Sequence, residues 1–191
     1  YSTNPRKGMA TVMEIARRRR DVTFVMVGPY DGGPAPSNAL VEGYTDWTRL
    51  PAVLRSCTAL LTMSENETCP NVVLEALASG LPVLYKASGG TAELVGDCGV
   101  AVSAHTFDDG LADVVRRHTA LSAAARARAV ERFHFDVVFP RYVDAVASAT
   151  RQPLPRAGDY ARVLRRLRAS PVMIARWLAS RTIQQGAGRP R

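Results

Sequence analysis

The sequence predicts an α/β fold, a doubly wound parallel sheet followed by a helical C-terminal extension. Short apolar runs such as Val22–Val27 and Ala59–Met63 have the length and composition of strands that are buried on both faces. Segments with apolar residues at helical spacing, such as Met9–Arg20, lie between these runs. Because strands and helices alternate through residues 1–150, we expect a Rossmann-like sheet that is covered by helices on both faces.

The boundaries of the elements follow from apolar runs and turn residues. Gly28 and Pro29 end the first strand, and residues 31–38 are almost all turn formers, so no helix is expected there. Thr45 or Asp46 can cap a helix that carries Trp47 on its apolar face. The predicted strands cover 22–27, 39–44, 59–63, 83–85 and 99–103, and the predicted helices cover 9–20, 45–56, the interval from Pro70 to Gly80, 107–118, 122–132 and 136–149.

The positive charge is concentrated at the C-terminal end of the chain. Residues 151–191 contain ten arginines against one acid, Asp159, whereas residues 1–150 contain 15 Lys and Arg against 16 acids. The formal net charge of +8 therefore describes the tail and not the folded region. A nearly neutral folded region argues against nucleic acid as a partner.

The cysteine pattern and the hydropathy exclude several classes of protein. Cys57, Cys69 and Cys98 are odd in number and lack metal-ligand spacing, so reduced thiols and a cytoplasmic location are expected. No apolar run approaches the roughly 20 residues of a membrane-spanning helix. The three histidines show neither a metal-binding nor a Ser-His-Asp pattern, and no metal or other cofactor is expected.

The segment from Ser64 to Pro82 contains the candidate site. Glu67 lies in a polar loop after a strand, and Glu75 lies in a helix that is apolar on all sides, where a carboxylate is costly unless it is hydrogen-bonded or faces a cleft. The free N–H groups at the helix start near Asn71 form an anion site. The spacing alone leaves two equal alternatives. Either the segment binds a ligand that carries hydroxyl and phosphate groups, or its acids are structural, with Glu75 paired to an arginine and Glu67 exposed to solvent.

Three motifs resemble the retaining glycosyltransferases of family four, which have the GT-B architecture. SENETCPNVVLEALASGLPV is similar to the family's Glu-x7-Glu donor signature, and Asn4–Gly8 is similar to its Arg/Lys-Gly phosphate loop. Ser88–Val95 resembles its Gly-Gly-x-x-Glu turn. The resemblance covers roughly residues 6–149 and implies the donor-binding half of a nucleotide-sugar-dependent enzyme, with the N-terminal acceptor domain and a central first strand ahead of Tyr1 missing.

The resemblance also implies roles for individual residues. Arg6 and Lys7 would neutralise the leaving diphosphate, and Glu67 would contact the donor sugar. Glu75 would accept hydrogen bonds from the ribose hydroxyls. The other donor-binding candidates are Thr68, Cys69, Asn71 and Val72 around the helix start, with Gly28 and Tyr44 bordering the base.

The pattern of residues 151–191 predicts a proline-containing linker followed by a basic amphipathic helical tail. Tyr160, Val163, Leu164 and Leu167 follow helical spacing, and a second helix after Pro171 carries Trp177 and further apolar residues. Residues 157–183 therefore suit either the anionic inner face of the plasma membrane or a protein partner.

The sequence leaves two main readings open, an enzyme part and a binding module, and a third reading ranks below them. The chain is either part of a transferase that serves a lipid-linked or cell-envelope polysaccharide acceptor, or a non-catalytic, split donor-binding module that docks on a membrane-associated partner through its tail. An unrelated dinucleotide-binding domain ranks last because no Gly-x-Gly-x-x-Gly follows any strand.

Overall fold

The computed structural model describes residues 4–30 and 32–151, and each predicted strand within that range is present as a short core of its apolar run. The strands are β1 Phe24–Met26, β2 Ala39–Val41, β3 Leu60–Thr62, β4 Val83–Tyr85 and β5 Gly99–Ala101. The predicted α/β fold class is confirmed, with parallel pairing throughout.

Helices alternate with the strands, as predicted, and most lie within the predicted boundaries. They are the 3₁₀ turn Pro5–Lys7, α1 Met9–Arg18, α2 Leu50–Arg55, α3 Asn71–Ala78, α4 Thr91–Val95, α5 Phe107–Arg116, α6 His118–Arg128, a π-helical segment Ala129–Phe133 and α7 Phe135–Arg151. Helix α4 occupies the motif that was interpreted as a turn, and α6 begins at His118 instead of Ser122. Residues 32–38 contain no helix, as expected.

The predicted position of Trp47 is wrong. The Asp46 carboxylate accepts hydrogen bonds from the N–H groups of Thr48 and Arg49, at 2.7 and 3.2 Å, and forms a turn ahead of the helix. Helix α2 consequently begins only at Leu50, with Pro51 in its first turn. Trp47 precedes the helix and its surface is 83% exposed.

The strands form two separate parallel sheets among the described residues, β1–β2 and β3–β4–β5. Helix α1 begins beside the carboxyl end of β3, where a Cβ on Gly8 would clash with the Met63 carbonyl. The helix then leads to the amino end of β1, so β1 and β3 run in the same direction. The carboxyl ends of both sheets therefore lie on the same side of this part of the chain.

Two apolar clusters hold the helices on these sheets. One joins Val12 and Ile15 of α1 to Phe24 of β1 and Phe107 of α5, and the rings of the two phenylalanines lie 6.1 Å apart. The other packs the buried face of α3 on β4 and α4, with Leu77 and Val83 fully buried. Both sheets are thus fixed by helices that the alternating pattern predicted.

The chain divides into two compact units, Tyr1–Arg141 and Tyr142–Arg191, and both sheets belong to the first. The predicted tail and its candidate membrane segment, residues 157–183, lie outside the described residues, so the proposed division at residue 150 stays a prediction. No described helix combines the length and hydropathy required to cross a membrane.

Candidate functional site

The loop that carries Arg6 and Lys7 is fixed by its own sequence. The Asn4 side chain accepts a hydrogen bond from the Arg6 N–H at 3.0 Å and caps the short 3₁₀ turn. Gly8 ends that turn with a φ of 69°, which a glycine adopts without strain. The loop is therefore positioned against the carboxyl end of β3.

Two contacts join this loop to the segment that follows β3. The Arg6 carbonyl accepts a hydrogen bond from the Glu65 N–H at 2.7 Å. The Lys7 ammonium forms an ion pair with the Glu67 carboxylate, and both side chains are partly buried. The structure therefore brings together Arg6, Lys7 and Glu67, which the sequence predicted as one site.

The Lys86–Gly90 turn packs closely against the same loop. Gly90 donates its N–H to the Glu67 carbonyl at 2.8 Å, and the Asn66 N–H donates to Ser88 Oγ at 3.0 Å. A Cβ on Gly90 would clash with the Thr68 carbonyl, and one on Gly89 would clash with the Glu67 carbonyl. The absence of side chains at Gly89 and Gly90 therefore allows the Glu67–Thr68 backbone to pack against this turn.

A second ion pair, Glu65–Lys86, lies beside the first and was not predicted. Lys86, through its hydrogen bond and its charge, lowers the pKa of the Glu65 carboxyl, with a smaller contribution from the charge of Arg6. Glu65 and Lys86 follow the ends of the neighbouring strands β3 and β4. Their position after adjacent strands is the signal from which the pair could have been found.

The prediction that α3 is buried on all sides is wrong. Val73, Ala76 and Leu77 form a buried face, whereas Asn71, Val72, Glu75 and Ala78 form an exposed one. The carboxylate of Glu75 is therefore solvated, and it makes no ion pair or hydrogen bond within the described part of the chain. The structural alternative paired Glu75 with an arginine, and the described residues contain no such pair.

The start of α3 lies directly after the Glu67 loop. Pro70 precedes the first helical residue, and the Val73 N–H already donates to the Pro70 carbonyl at 3.0 Å. The N–H groups of Asn71 and Val72 have no acceptor among the described residues, and Thr68 and Cys69 are exposed beside them. This helix end thus offers backbone donors next to Lys7 and Glu67.

Gly28 and Tyr44 lie on the other sheet, at the carboxyl ends of β1 and β2. The Gly28 N–H donates to the Gly43 carbonyl at 2.6 Å, so that it is not free to bind a ligand. The Tyr44 side chain is 91% exposed. The two residues lie on the same side of this part of the chain as the Lys7–Glu67 site, but no described hydrogen bond joins them to it.

The described residues hold no group of three or more His, Cys, Asp or Glu side chains that could ligate a metal ion. The site instead combines two lysines and one arginine with two loop glutamates and an exposed carboxylate on α3. Such a set can bind an anion and accept hydrogen bonds from hydroxyl groups of the same ligand.

Comparison with known proteins supports the fold and identifies the family. A family model described as "Glycosyl transferases group 1" matches residues 3–120, which include all three motifs. No curated protein matches the chain.

Several solved protein structures are similar to this chain in fold. HepE from Anabaena, in complex with UDP-glucose, has 18% sequence identity and a TM-score of 0.65, over 76% of this chain and 46% of its own. AviGT4, involved in avilamycin A biosynthesis, has 25% identity and a TM-score of 0.58, over 74% of this chain and 47% of its own. The pneumococcal O-GlcNAc transferase GtfA, in complex with UDP and GlcNAc, has 15% identity and a TM-score of 0.60, over 78% of this chain and 34% of its own. The chain thus spans about half the length of these proteins, or less.

Proposed function

Since the chain belongs to the group 1 glycosyltransferases, we propose that it is the donor-binding half of a family-four GT-B enzyme. That enzyme transfers a sugar from a nucleotide-sugar to an acceptor with retention at the anomeric carbon. The proposal depends on one observation above all: the phosphate loop, the Glu67 loop and the Lys86–Gly90 turn meet at the carboxyl end of the β3–β4–β5 sheet. In open α/β sheets this edge is where ligands bind.

The leaving diphosphate is proposed to bind between Lys7, Arg6 and the start of α3. Lys7 and Arg6 contribute positive charge, and the N–H groups of Asn71 and Val72 contribute donors at the positive end of a helix dipole. Stabilisation of the developing charge on the diphosphate is the main task of such a site. Because these cations and dipoles supply the neutralisation, we expect binding without a metal ion, and EDTA should leave the affinity unchanged.

Glu67 and Glu75 are proposed to hold the sugar and the ribose, respectively. The Glu67 backbone is fixed by Gly90 and its side chain by Lys7, so that its carboxylate has a defined position beside the diphosphate groups. The exposed carboxylate of Glu75 lies one helical turn beyond Asn71 and is accessible to a pair of adjacent hydroxyls. Thr68, Cys69 and Val72 complete the donor-binding segment, and Gly28 and Tyr44 border the base.

The first donor to test is a uridine diphosphate sugar, since HepE and GtfA were solved with UDP or a UDP-sugar. Titration calorimetry on the 191-residue chain would compare UDP, GDP and ADP, each with and without EDTA. We expect one of the three to bind at least tenfold more tightly than inorganic diphosphate, which corresponds to about 1.4 kcal/mol. Equal and weak binding of all four compounds would contradict the proposal.

The acceptor and the remainder of the enzyme belong to the proposal as well. An acceptor domain, on the same polypeptide or on a partner, would close over the edge that carries Lys7 and Glu67. The basic segment 157–183 is proposed to bind an anionic membrane surface, which would bring the site close to a lipid-linked acceptor.

A further inference from the structure

A cavity of about 630 Å³ lies at the end of α3 away from the proposed donor site. Helix α3 begins beside the Glu67 loop and ends at Ala78, roughly 12 Å further along at 1.5 Å per residue. The cavity is lined by the end of α2, by the end of α3 with the turn after it, and by one face of α6. The first two segments lead into β3 and β4, so the cavity lies at the amino ends of these parallel strands. It is therefore separate from the Lys7–Glu67 site at the carboxyl end of β3.

Three hydrogen bonds fix α6 against these strand ends. They come from His118, Ser122 and Arg126, which follow one another at intervals of four residues and so share one face of the helix. The Thr58 carbonyl, ahead of β3, accepts a hydrogen bond from His118 Nε2 at 3.1 Å. Ser122 Oγ and the Arg126 guanidinium donate to carbonyls at the end of α3, at 2.7 and 2.6 Å. The side chains of α6 that line the cavity therefore have defined positions.

The cavity has a positively charged lining. Its titratable side chains are Arg55, His118 and Arg126, and no Asp or Glu is among the described residues that line it. Arg55 is exposed, and it forms no ion pair or hydrogen bond with any residue that the structure describes. The Ala78 carbonyl engages only Nη1 of Arg126, which leaves the donors on the other two nitrogens of that guanidinium. Two guanidinium groups thus share this space without a carboxylate in its described lining.

Hydroxyl groups add further donors to this lining. Ser79 and Thr119 line the cavity, and neither side chain forms a hydrogen bond within the described ranges 4–30 and 32–151. The carbonyls of Ala78 and Gly80, which would repel an anion, already accept the hydrogen bonds from α6. An anion in the cavity would therefore meet cationic and hydroxyl donors, and the carbonyls beside it are paired.

We propose that this cavity binds a phosphate monoester group between Arg55 and Arg126, with Ser79 and Thr119 as further donors. Two guanidinium charges match a group that carries about −1.5 to −2 at pH 7, and its three acceptor oxygens suit forked donors. A carboxylate carries a single charge on two oxygens and matches the lining less well. The monoester belongs either to a soluble compound or to the headgroup of phosphatidic acid, since both present the same chemistry to the cavity. The proposal is independent of the transferase function.

The test is a titration of the 191-residue chain with inorganic phosphate at constant ionic strength, followed by NMR. The reporters are the His118 ring and the side-chain Nε–H groups of Arg55 and Arg126, all in the lining of the cavity. We expect saturable shifts at these groups, and at least tenfold weaker binding of acetate. Because inorganic phosphate would also reach the donor site, the titration is repeated with Lys7→Met, which should leave the shifts at His118 unchanged.

The variant that decides the proposal is Arg55→Met. It should weaken phosphate binding at least tenfold and leave the Tm almost unchanged, because the Arg55 side chain is exposed and bonds no other described group. The charge-matched control is Arg17→Met, which removes an exposed cation from α1 and should change the affinity less than twofold. Equal losses in the two variants would reflect net charge alone and would overturn the proposal. Shifts that do not saturate, or that Arg55→Met leaves intact, would overturn it as well.

Vesicle flotation of the full chain separates the two sources of the monoester. Phosphatidylcholine vesicles that contain phosphatidic acid are compared with vesicles of equal charge that contain phosphatidylserine, whose phosphate is a diester. A loss of flotation in Arg55→Met that is confined to phosphatidic acid assigns the site to a lipid headgroup. Unchanged flotation, together with the loss of phosphate binding, assigns it to a soluble compound. Because no nucleotide is present and Lys7→Met removes the donor-site cation, failure of this proposal leaves the transferase proposal untouched, and the reverse also holds.

Discussion

The Lys7 ammonium is paired with the Glu67 carboxylate, although two helices and three strands separate these residues along the chain. The two charges neutralise each other at the carboxyl end of β3. A diphosphate that binds Lys7 must therefore compete with Glu67 or share the ammonium with it. This competition makes the affinity for diphosphate sensitive to both residues, in opposite directions.

The first prediction concerns that competition. Lys7→Met should lower the affinity for the preferred nucleoside diphosphate by about ten- to a hundredfold, because a hydrogen bond to a charged group contributes roughly 1.5–3 kcal/mol. Glu67→Gln should raise the affinity for the diphosphate, since the ammonium loses its competitor. Titration calorimetry measures both effects.

The matched control for Lys7→Met is Arg17→Met, which removes one exposed cation from α1 away from the site. If this variant loses as much affinity as Lys7→Met does, the loss reflects the change in net charge and not a contact between Lys7 and the phosphate. Equal loss in Lys7→Met and Glu67→Gln would mean that the pair only supports the loop and does not bind phosphate.

Much of this site could be predicted from the order of its motifs. Arg6, Lys7 and Glu67 follow predicted strands or precede helices, and the carboxyl ends of parallel strands meet at one edge. The exposure of Glu75 could not be predicted, because the apolar residues around it did not reveal which face of α3 lies towards solvent. The local sequence also did not reveal that the Glu67–Thr68 backbone packs directly on Gly89 and Gly90, because this contact depends on long-range packing.

The second prediction follows from that packing. Gly90→Ala should destabilise the protein by about 1–3 kcal/mol, the usual cost of overpacking, because the added methyl group meets the Thr68 carbonyl. It should also weaken nucleotide binding, since the Glu67 loop must move. The control is Gly33→Ala, where no atom lies within 4 Å of the new methyl group and only the φ of 80° resists the change. Urea unfolding and calorimetry together check both effects, and intact nucleotide affinity in Gly90→Ala would contradict the second.

The third prediction concerns acid stability. Hydrogen bonds from Arg19 lower the pKa of the Asp21 carboxyl from its ordinary value of 3.8 to about 2, and Arg19 also bonds Asp108 at 2.7 Å. A depressed folded pKa adds stability above pH 3.8 that is lost as the pH falls towards 2. Because the Asp21 carboxylate is exposed, Arg19→Met should lower the Tm only slightly at pH 6, and the difference should shrink below pH 3.8 and be lost below about pH 2. Arg17→Met is the charge-matched control, and a pH-independent difference for Arg19→Met would contradict the assignment.

The fourth prediction concerns the tail. Deletion of residues 157–191 removes eight arginines and should abolish binding to vesicles that contain phosphatidylserine at low salt. Flotation with neutral phosphatidylcholine vesicles separates electrostatic from apolar binding. If the full chain does not float with anionic vesicles, a protein partner is the better explanation of the amphipathic pattern.

The last prediction separates a ribose role of Glu75 from a structural one. Its carboxylate is exposed on the same face of α3 as Asn71, so its removal should cost little stability. If Glu75 accepts hydrogen bonds from the ribose hydroxyls, Glu75→Ala should weaken nucleoside diphosphate binding about tenfold or more. The same variant should lose most of the preference for the ribonucleotide over its 2′-deoxy analogue, because the missing hydroxyl no longer has a partner. Calorimetry on both proteins with both nucleotides gives a double-mutant cycle. A preference that survives the substitution would place the ribose elsewhere, whatever the change in overall affinity.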